Sequence, residues 1–249
     1  MKIIGVIGSP NGTRGNTSQL VKCVLQGAHS KDAETEIFSL ADLSVYPCTG
    51  CGACTKTGRC IIDDDIDIIK NAMIEADGIV LASPNYMYNV SAQMKAVMDR
   101  CHSLCHCQMM VGKYGAVVVT SGGPYTGMAE EYLLRILGIM GCWMVGSICA
   151  VKAQLDDEDE RTHIMRSATH LGRQIVRSIE NKEVFSEQVA EREKFFEAIK
   201  YLVIKQKEHW PFEYKYWKTH WALREGKVMK RDKYVRVEKD VNLLENQPY

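Results

Sequence analysis

Four cysteines in the stretch PCTGCGACTKTGRC, namely Cys48, Cys51, Cys54 and Cys60, follow the spacing C-x2-C-x2-C-x5-C. Thiolates are soft ligands, and three of them within one short glycine-bearing turn can converge on a compact cluster, the fourth arriving after a brief excursion. Other chemistries use the same residue type. Structural zinc usually takes its thiolates from two well-separated knuckles, and a thioredoxin-like pair needs a single C-x-x-C at a helix start. A loop of spare thiols without metal is a further alternative. The chain has ten cysteines and opens on a strand pattern rather than a signal peptide, so a cytoplasmic location is expected. There thiols stay reduced, and grouped cysteines point to metal, cluster or redox chemistry rather than to disulfides.

The second chemical stretch is Gly8 to Ser18, GSPNGTRGNTS. Its glycines let the backbone turn sharply and point successive N–H groups inward. Ser9, Thr13, Asn16, Thr17 and Ser18 add side-chain donors, and the helix that follows adds unpaired N–H groups and the positive end of its dipole. Such a loop suits a phosphate, although a polar turn between strand and helix has the same composition. It is neither a P-loop nor a dinucleotide fingerprint, because G-x-x-x-x-G-K-[ST] and G-x-G-x-x-G are both absent.

Two further groups read more plainly. CHSLCHC holds Cys101, Cys105 and Cys107 with His102 and His106; a second metal site is possible there, but buried cysteine acting as a small hydrophobe is the favoured reading. Cys23, Cys142 and Cys149 fall inside expected helix or strand and read as core. Asp63, Asp64 and Asp65 precede a helical pattern and read as caps.

These groups need a scaffold. With 249 residues, 46% of them apolar, 25% charged and a formal charge of zero, the chain can bury one sizeable core and lacks the electrostatic footprint of a nucleic-acid binder. No apolar run approaches the roughly 20 residues of a membrane span. Apolar strand patterns start at Lys2, Glu34, Gly78, Tyr114 and within Gly141 to Val151. Helical patterns alternate with them: Thr17 to about His29, a stretch holding Ile66, Ile69, Met73 and Ile74, one capped by Ser91, Met128 to Met140, and Asp156 to about Asn181. Five alternations predict an α/β fold with a parallel sheet of order 2-1-3-4-5, flavodoxin-like, with helices on both faces. The ligand crevice of that fold lies at the carboxyl ends of strands one and three, where the Gly-, Pro-, Ser- and Asn-rich loops after strands one, three and four all leave the sheet. Residues 1–183 therefore read as one binding domain. Residues 184–249 read as a helical and aromatic extension (Phe185 to Glu208, then Trp210, Phe212, Tyr214, Tyr216, Trp217 and Trp221) that packs on an oligomer partner or on the body, or covers a pocket.

GSPNGTRGNTSQLV, ADGIVLASPNYMYNVSAQMKAVMDR and VVVTSGGPYTG together resemble the NADPH-dependent FMN reductase branch of the flavodoxin-like superfamily, over roughly residues 1 to 180. The resemblance implies that Ser9, Asn16, Thr17 and Ser18 hold the FMN phosphate. It places Pro84, Asn85, Tyr86 and Met87 beside the isoalloxazine ring, and Ser121, Gly122 and Gly123 at its far edge. Many relatives carry arginine directly after the Ser-Pro of the first loop; here that place is Asn11, and Arg14 three residues on stands in. The residue types agree, since a flat ring wants the apolar wall that Tyr86, Met87 and Tyr88 can form, although ordinary packing would use the tyrosines as well. The cysteine spacing resembles that of bacterial ferredoxins, where the fourth cysteine serves a second cluster. More closely it resembles the motif of iron-sulfur flavoproteins, a subgroup of this same fold with a 4Fe-4S cluster.

The expected function is thus an FMN-dependent oxidoreductase that passes electrons between a one-electron donor, a 4Fe-4S cluster and FMN to a small acceptor. The alternatives are a cluster-free NAD(P)H-dependent FMN or quinone reductase and a flavodoxin-like carrier. Ferredoxin or NAD(P)H is the expected donor. The resemblance also implies a homo-oligomer, dimer or tetramer, in which the cluster lies near a neighbouring subunit's flavin. No membrane or nucleic-acid partner is expected.

Overall fold

The structure, a computed structural model, describes residues 1–221; the basic and acidic tail that ends the expected extension lies outside the described residues. In chain order the elements are β1 (Lys2–Ile7), α1 (Asn16–His29), β2 (Glu34–Ser39), α2 (Ala53–Thr57), α3 (Ile66–Glu75), β3 (Gly78–Pro84), α4 (Ala92–Arg100), α5 (His102–His106), β4 (Tyr114–Ser121), α6 (Gly127–Met140), β5 (Trp143–Val151), α7 (Lys152–Asp156), α8 (Glu158–Glu180), α9 (Ser186–Lys205) and α10 (Pro211–His220). The five strands pair in the order β2-β1-β3-β4-β5, every pair parallel, as the alternation predicts.

Successive side chains on a strand point to opposite faces, so a sheet covered on both sides needs apolar residues at every position. Ile4, Val6, Ile79, Leu81, Val117 and Val119 face one layer with Ile69, Met73, Val97 and Leu133. Ile3, Ile7, Val80, Ala82, Ala116 and Val118 face the other with Leu20, Val24, Ile175 and Val176. In that second layer α1 crosses α8 at unusually short range: a Cβ placed on Gly172 would stand 1.8 Å from the Val24 carbonyl oxygen, and one on Gly27 would stand 1.9 Å from that of Thr169. The two glycines let the helix backbones touch.

The helix expected from Asp156 to about Asn181 is α8, and the short α7 precedes it. Asp157 takes an extended ψ of 130° between α7 and α8, and its carboxylate accepts the Glu160 N–H at 2.9 Å to cap α8.

The extension folds back on its own body. Arg192 of α9 donates to the carbonyls of Gly141 (2.7 Å) and Cys142 and lies 4.0 Å over the Trp143 ring. The Gln188 amide pairs with both backbone groups of Met144 on the outer strand β5, accepting at 3.0 Å and donating at 2.8 Å. Trp217 and Trp221 are buried with Val111, Ile199 and Val203, and Trp210, Tyr214 and Tyr216 pack around them.

Candidate functional site

The crevice is built where β1, β3 and β4 end. β1 stops at Ile7, and the Gly8 N–H donates to Ala82 of β3 at 2.7 Å. Ser91, the expected cap of α4, accepts the Met94 N–H at 3.2 Å and donates its own hydroxyl to the Gly8 carbonyl at 2.5 Å, so one side chain caps a helix and binds two loops. A single helical turn over Gly12–Arg14 leads into α1. The start of α1 has no capping side chain and no acid in its first turn, which leaves its N–H groups and positive dipole end free for an anion.

The five residues expected to hold phosphate sit differently from one another. Ser9, Thr17 and Ser18 are buried, whereas Asn16 and Arg14 are exposed at the mouth. The Ser18 hydroxyl donates to the Gly12 carbonyl and braces the loop. Ser9 Oγ accepts the Asn11 N–H at 3.3 Å. Thr17 and Thr120 share a hydrogen bond of 2.6 Å between their hydroxyls, joining the first loop to the end of β4. Thr120 was not singled out from sequence, because its partner is 103 residues away.

The wall follows β3. Asn85 donates its backbone N–H to Thr120 at 2.7 Å, and its side-chain amide donates to the Tyr125 carbonyl at 2.5 Å and Ser121 Oγ at 3.4 Å. Its Oδ1 is buried without a hydrogen-bond partner. Tyr86 and Asn89 exchange two backbone hydrogen bonds around Met87 and Tyr88, which both hold positive φ (47° and 64°). A tight turn of this kind usually takes glycine or asparagine, and here it presents Met87 at 94% exposure. Tyr88 stands 5.8 Å from Tyr125 across the crevice. Ser121 Oγ accepts the Gly123 N–H at 3.2 Å, and the space about Gly122 and Gly123 is open. The residues expected around the ring thus gather on two facing loops.

The cysteine loop lies at the other end of α4. All four thiols are free, with Cys48 and Cys51 exposed and Cys54 and Cys60 half-buried. A hydrogen bond from the Ala53 N–H, then one from the Thr49 hydroxyl, pulls the Cys51 thiol below its ordinary value, whereas burial pushes the Cys54 thiol up. Arg100, the last residue of α4, donates to Tyr46 O at 2.8 Å and to both oxygens of Asp64 at 2.8 and 2.9 Å. Burial pushes the Asp64 carboxyl up, but the Arg100 guanidinium and the Tyr46 and Ile66 N–H groups outweigh it and hold the group below its usual value. This corrects the reading of the three aspartates as caps. Asp64 does accept the Ile66 N–H of α3 at 3.2 Å, but its main partner is Arg100, and Asp65 Oδ2 holds Ser44 N–H at 2.7 Å without capping the helix.

The donor set fits a cluster. Arg100 Nε is buried with no hydrogen-bond partner, and the Arg100 charge, already paired with Asp64, is still felt by Cys51 and Cys60. Among the described residues the only group with three or more ligand atoms within 4.8 Å of one another is His102, His106 and Glu213. The four sulfurs are therefore not drawn in as around a single ion; a cubane of four irons holds its thiolates farther apart. In CHSLCHC, Cys101 and Cys107 are buried as expected of core residues, and burial pushes the Cys101 thiol up to about 12.

Residues 1–156 match the NADPH-dependent FMN reductase family, and the chain belongs to it. It is an FMN-dependent oxidoreductase by that membership. Within the family it falls in the iron-sulfur flavoprotein subgroup. An iron-sulfur flavoprotein of Archaeoglobus fulgidus is 34% identical over 188 residues, which cover 73% of this chain and 82% of that one. Another, of Methanocaldococcus jannaschii, is 46% identical over 136 residues, covering 55% and 69%. An NAD(P)H:quinone oxidoreductase of Methanothermobacter marburgensis shares the fold, with a TM-score of 0.56 at 16% identity over 70% of this chain and 96% of that chain. No helix of the described residues is long and apolar enough to cross a membrane.

Proposed function

We propose that this chain holds FMN in the crevice and a 4Fe-4S cluster on Cys48, Cys51, Cys54 and Cys60, and passes electrons from a one-electron donor or NAD(P)H to a small acceptor. FMN exchanges one or two electrons when bound and a four-iron cluster exchanges one, so the pair joins single-electron carriers to two-electron substrates. The observation that carries this reading is α4, which is bonded to a binding loop at each end: Ser91 to Gly8 at its start, Arg100 to the Tyr46 carbonyl at its finish.

In this reading the first-turn N–H groups of α1, with Ser9, Asn16 and Arg14, bind the phosphate. Ser18 acts through its backbone, since its hydroxyl is already donated to Gly12. In the Thr17–Thr120 pair one hydroxyl donates and the other keeps its proton for an outside acceptor. Pro84, Tyr86 and Met87 form the apolar wall, and the unfilled Asn85 Oδ1 suits a ring N–H. Ser121, Gly122 and Gly123 leave room for the far edge. Arg100, paired with Asp64, holds the start of the cysteine loop through the Tyr46 carbonyl.

The nine residues of α4 rise about 1.5 Å each, so the two loops of one chain are held about 14 Å apart. A homo-oligomer, dimer or tetramer, would bring the cysteine loop of a second copy toward the crevice and shorten the path. The test is iron, acid-labile sulfide and FMN in anaerobically purified protein. Iron and sulfide together with FMN support the proposal. Iron-free protein that keeps FMN would return a cluster-free reductase instead.

A further inference from the structure

His102 and His106 are four residues apart on α5, a spacing that places both on one face of the helix, and their ring centroids are 3.7 Å apart. Facing them is Glu213 of α10, which is fully buried. Its Oε2 is 3.0 Å from His106 Nδ1 and its Oε1 is 3.5 Å from His102 Nε2. Among the described residues these two imidazoles are the only ion-pair partners of that carboxylate. A buried carboxylate needs positive charge, and a neutral imidazole supplies none. Two of the atoms here, His102 Nε2 and Glu213 Oε1, are buried and accept or donate no hydrogen bond. In the tautomer that leaves His102 Nε2 without a proton, that nitrogen and the facing carboxylate oxygen both offer lone pairs, and a cation between them satisfies both.

We infer that His102, His106 and Glu213 form a binding site for a divalent transition-metal ion of the zinc class. Two imidazoles and one carboxylate are a common zinc donor set, with the fourth position left open. Ligand atoms of a tetrahedral zinc site with bonds of about 2.0–2.1 Å stand roughly 3.4 Å apart, close to the separations of 3.0 and 3.5 Å seen here. The surroundings hold the ligands in place: Trp217 Nε1 donates to the His106 carbonyl at 2.8 Å, Trp221 Nε1 donates to that of Cys107 at 3.0 Å, and the Trp210 ring lies 5.0 Å from His106. His102, with 36% of its side chain accessible, opens a way in.

The ion would clasp α10 of the C-terminal extension to α5, next to the cysteine loop. Phe212, next to Glu213, fills the space beside Gly58, where a Cβ would stand 2.4 Å from the ring. Its occupancy therefore bears on how the cysteine loop is held, and the site stands whether or not the flavin reading does.

The test is zinc and cobalt(II) uptake by the full chain after mild chelation, compared with Glu213→Gln and His102→Ala, the latter at a partly exposed position that spares the fold. The expected result is one more equivalent of metal in the unmodified chain than in either variant. That equivalent should give cobalt d–d absorption without a thiolate-to-metal band, which separates it from the cysteines. Iron in place of zinc as the native occupant, lost in Glu213→Gln while acid-labile sulfide is unchanged, would also support the site. Equal uptake by all three proteins would overturn it.

Discussion

Asp64 and Arg100 face each other through two parallel hydrogen bonds of 2.8 and 2.9 Å, with both side chains shielded from solvent. The pair ties the entrance of α3 to the end of α4, and the Tyr46 carbonyl adds the start of the cysteine loop to the same knot. Asp64→Ala leaves the guanidinium uncompensated and should cost about 3–5 kcal/mol in a denaturant titration. The folded carboxyl titrates below the ordinary value of 3.8, so its contribution is full above that pH and is lost as pH falls through the lower folded value. Stability measured from pH 5 downward should thus fall more steeply in the unmodified protein than in Asp64→Asn.

Cys51 and Cys54 should differ in reactivity before any cluster is built. The lowered Cys51 thiol is exposed, and the raised Cys54 thiol is half-buried. Iodoacetamide labelling followed by mass spectrometry should modify Cys51 first near neutral pH. In the loaded protein Cys51→Ala should remove the cluster absorbance and leave FMN bound. Loss of both together would make the loop a structural part of the flavin site.

The hydroxyl pair of Thr17 and Thr120 can be tested by Thr120→Val, which keeps the shape and leaves a buried hydroxyl alone. A loss of about 1–3 kcal/mol in thermal or denaturant unfolding is expected. FMN affinity, read by quenching of flavin fluorescence, should weaken as well, because the first loop loses its tie to β4.

Asn85→Ala removes two donors that hold the Tyr125 loop and the free Oδ1 acceptor. FMN affinity should fall about tenfold, equivalent to about 1.4 kcal/mol. The same titration on Met87→Ala, a residue almost wholly exposed, should show a smaller change.

Gly172→Ala forces a methyl group to within 1.8 Å of the Val24 oxygen. The helices must part, and an overpacking cost of about 1–3 kcal/mol or more is expected. A lower denaturation midpoint with an unchanged FMN dissociation constant would place the effect in packing alone.

The sheet order and the gathering of three loops at one edge were legible because each strand is a short continuous apolar run and each loop is rich in turn residues. Contacts between distant segments were not. Three aspartates before a helix look like caps, and nothing in their neighbourhood announces an arginine 36 residues later. His106 and Glu213 are 107 residues apart, and the glutamate sits in an aromatic stretch whose apolar residues attract the reading. The Ser18 hydroxyl counted as a donor to ligand because composition does not tell which way a side chain turns; the helix start turns it back to Gly12. The aromatics read as packing on the body or on a partner, and Trp217 and Trp221 are buried against the body.

The grip of Gln188 on Met144 gives the outermost strand a neighbour that is not a strand. A second sheet cannot zip onto that margin at Met144 without first prising away α9, which Arg192 anchors to Cys142 and Gly141, two and three residues before. Self-association by strand addition is blocked at this point.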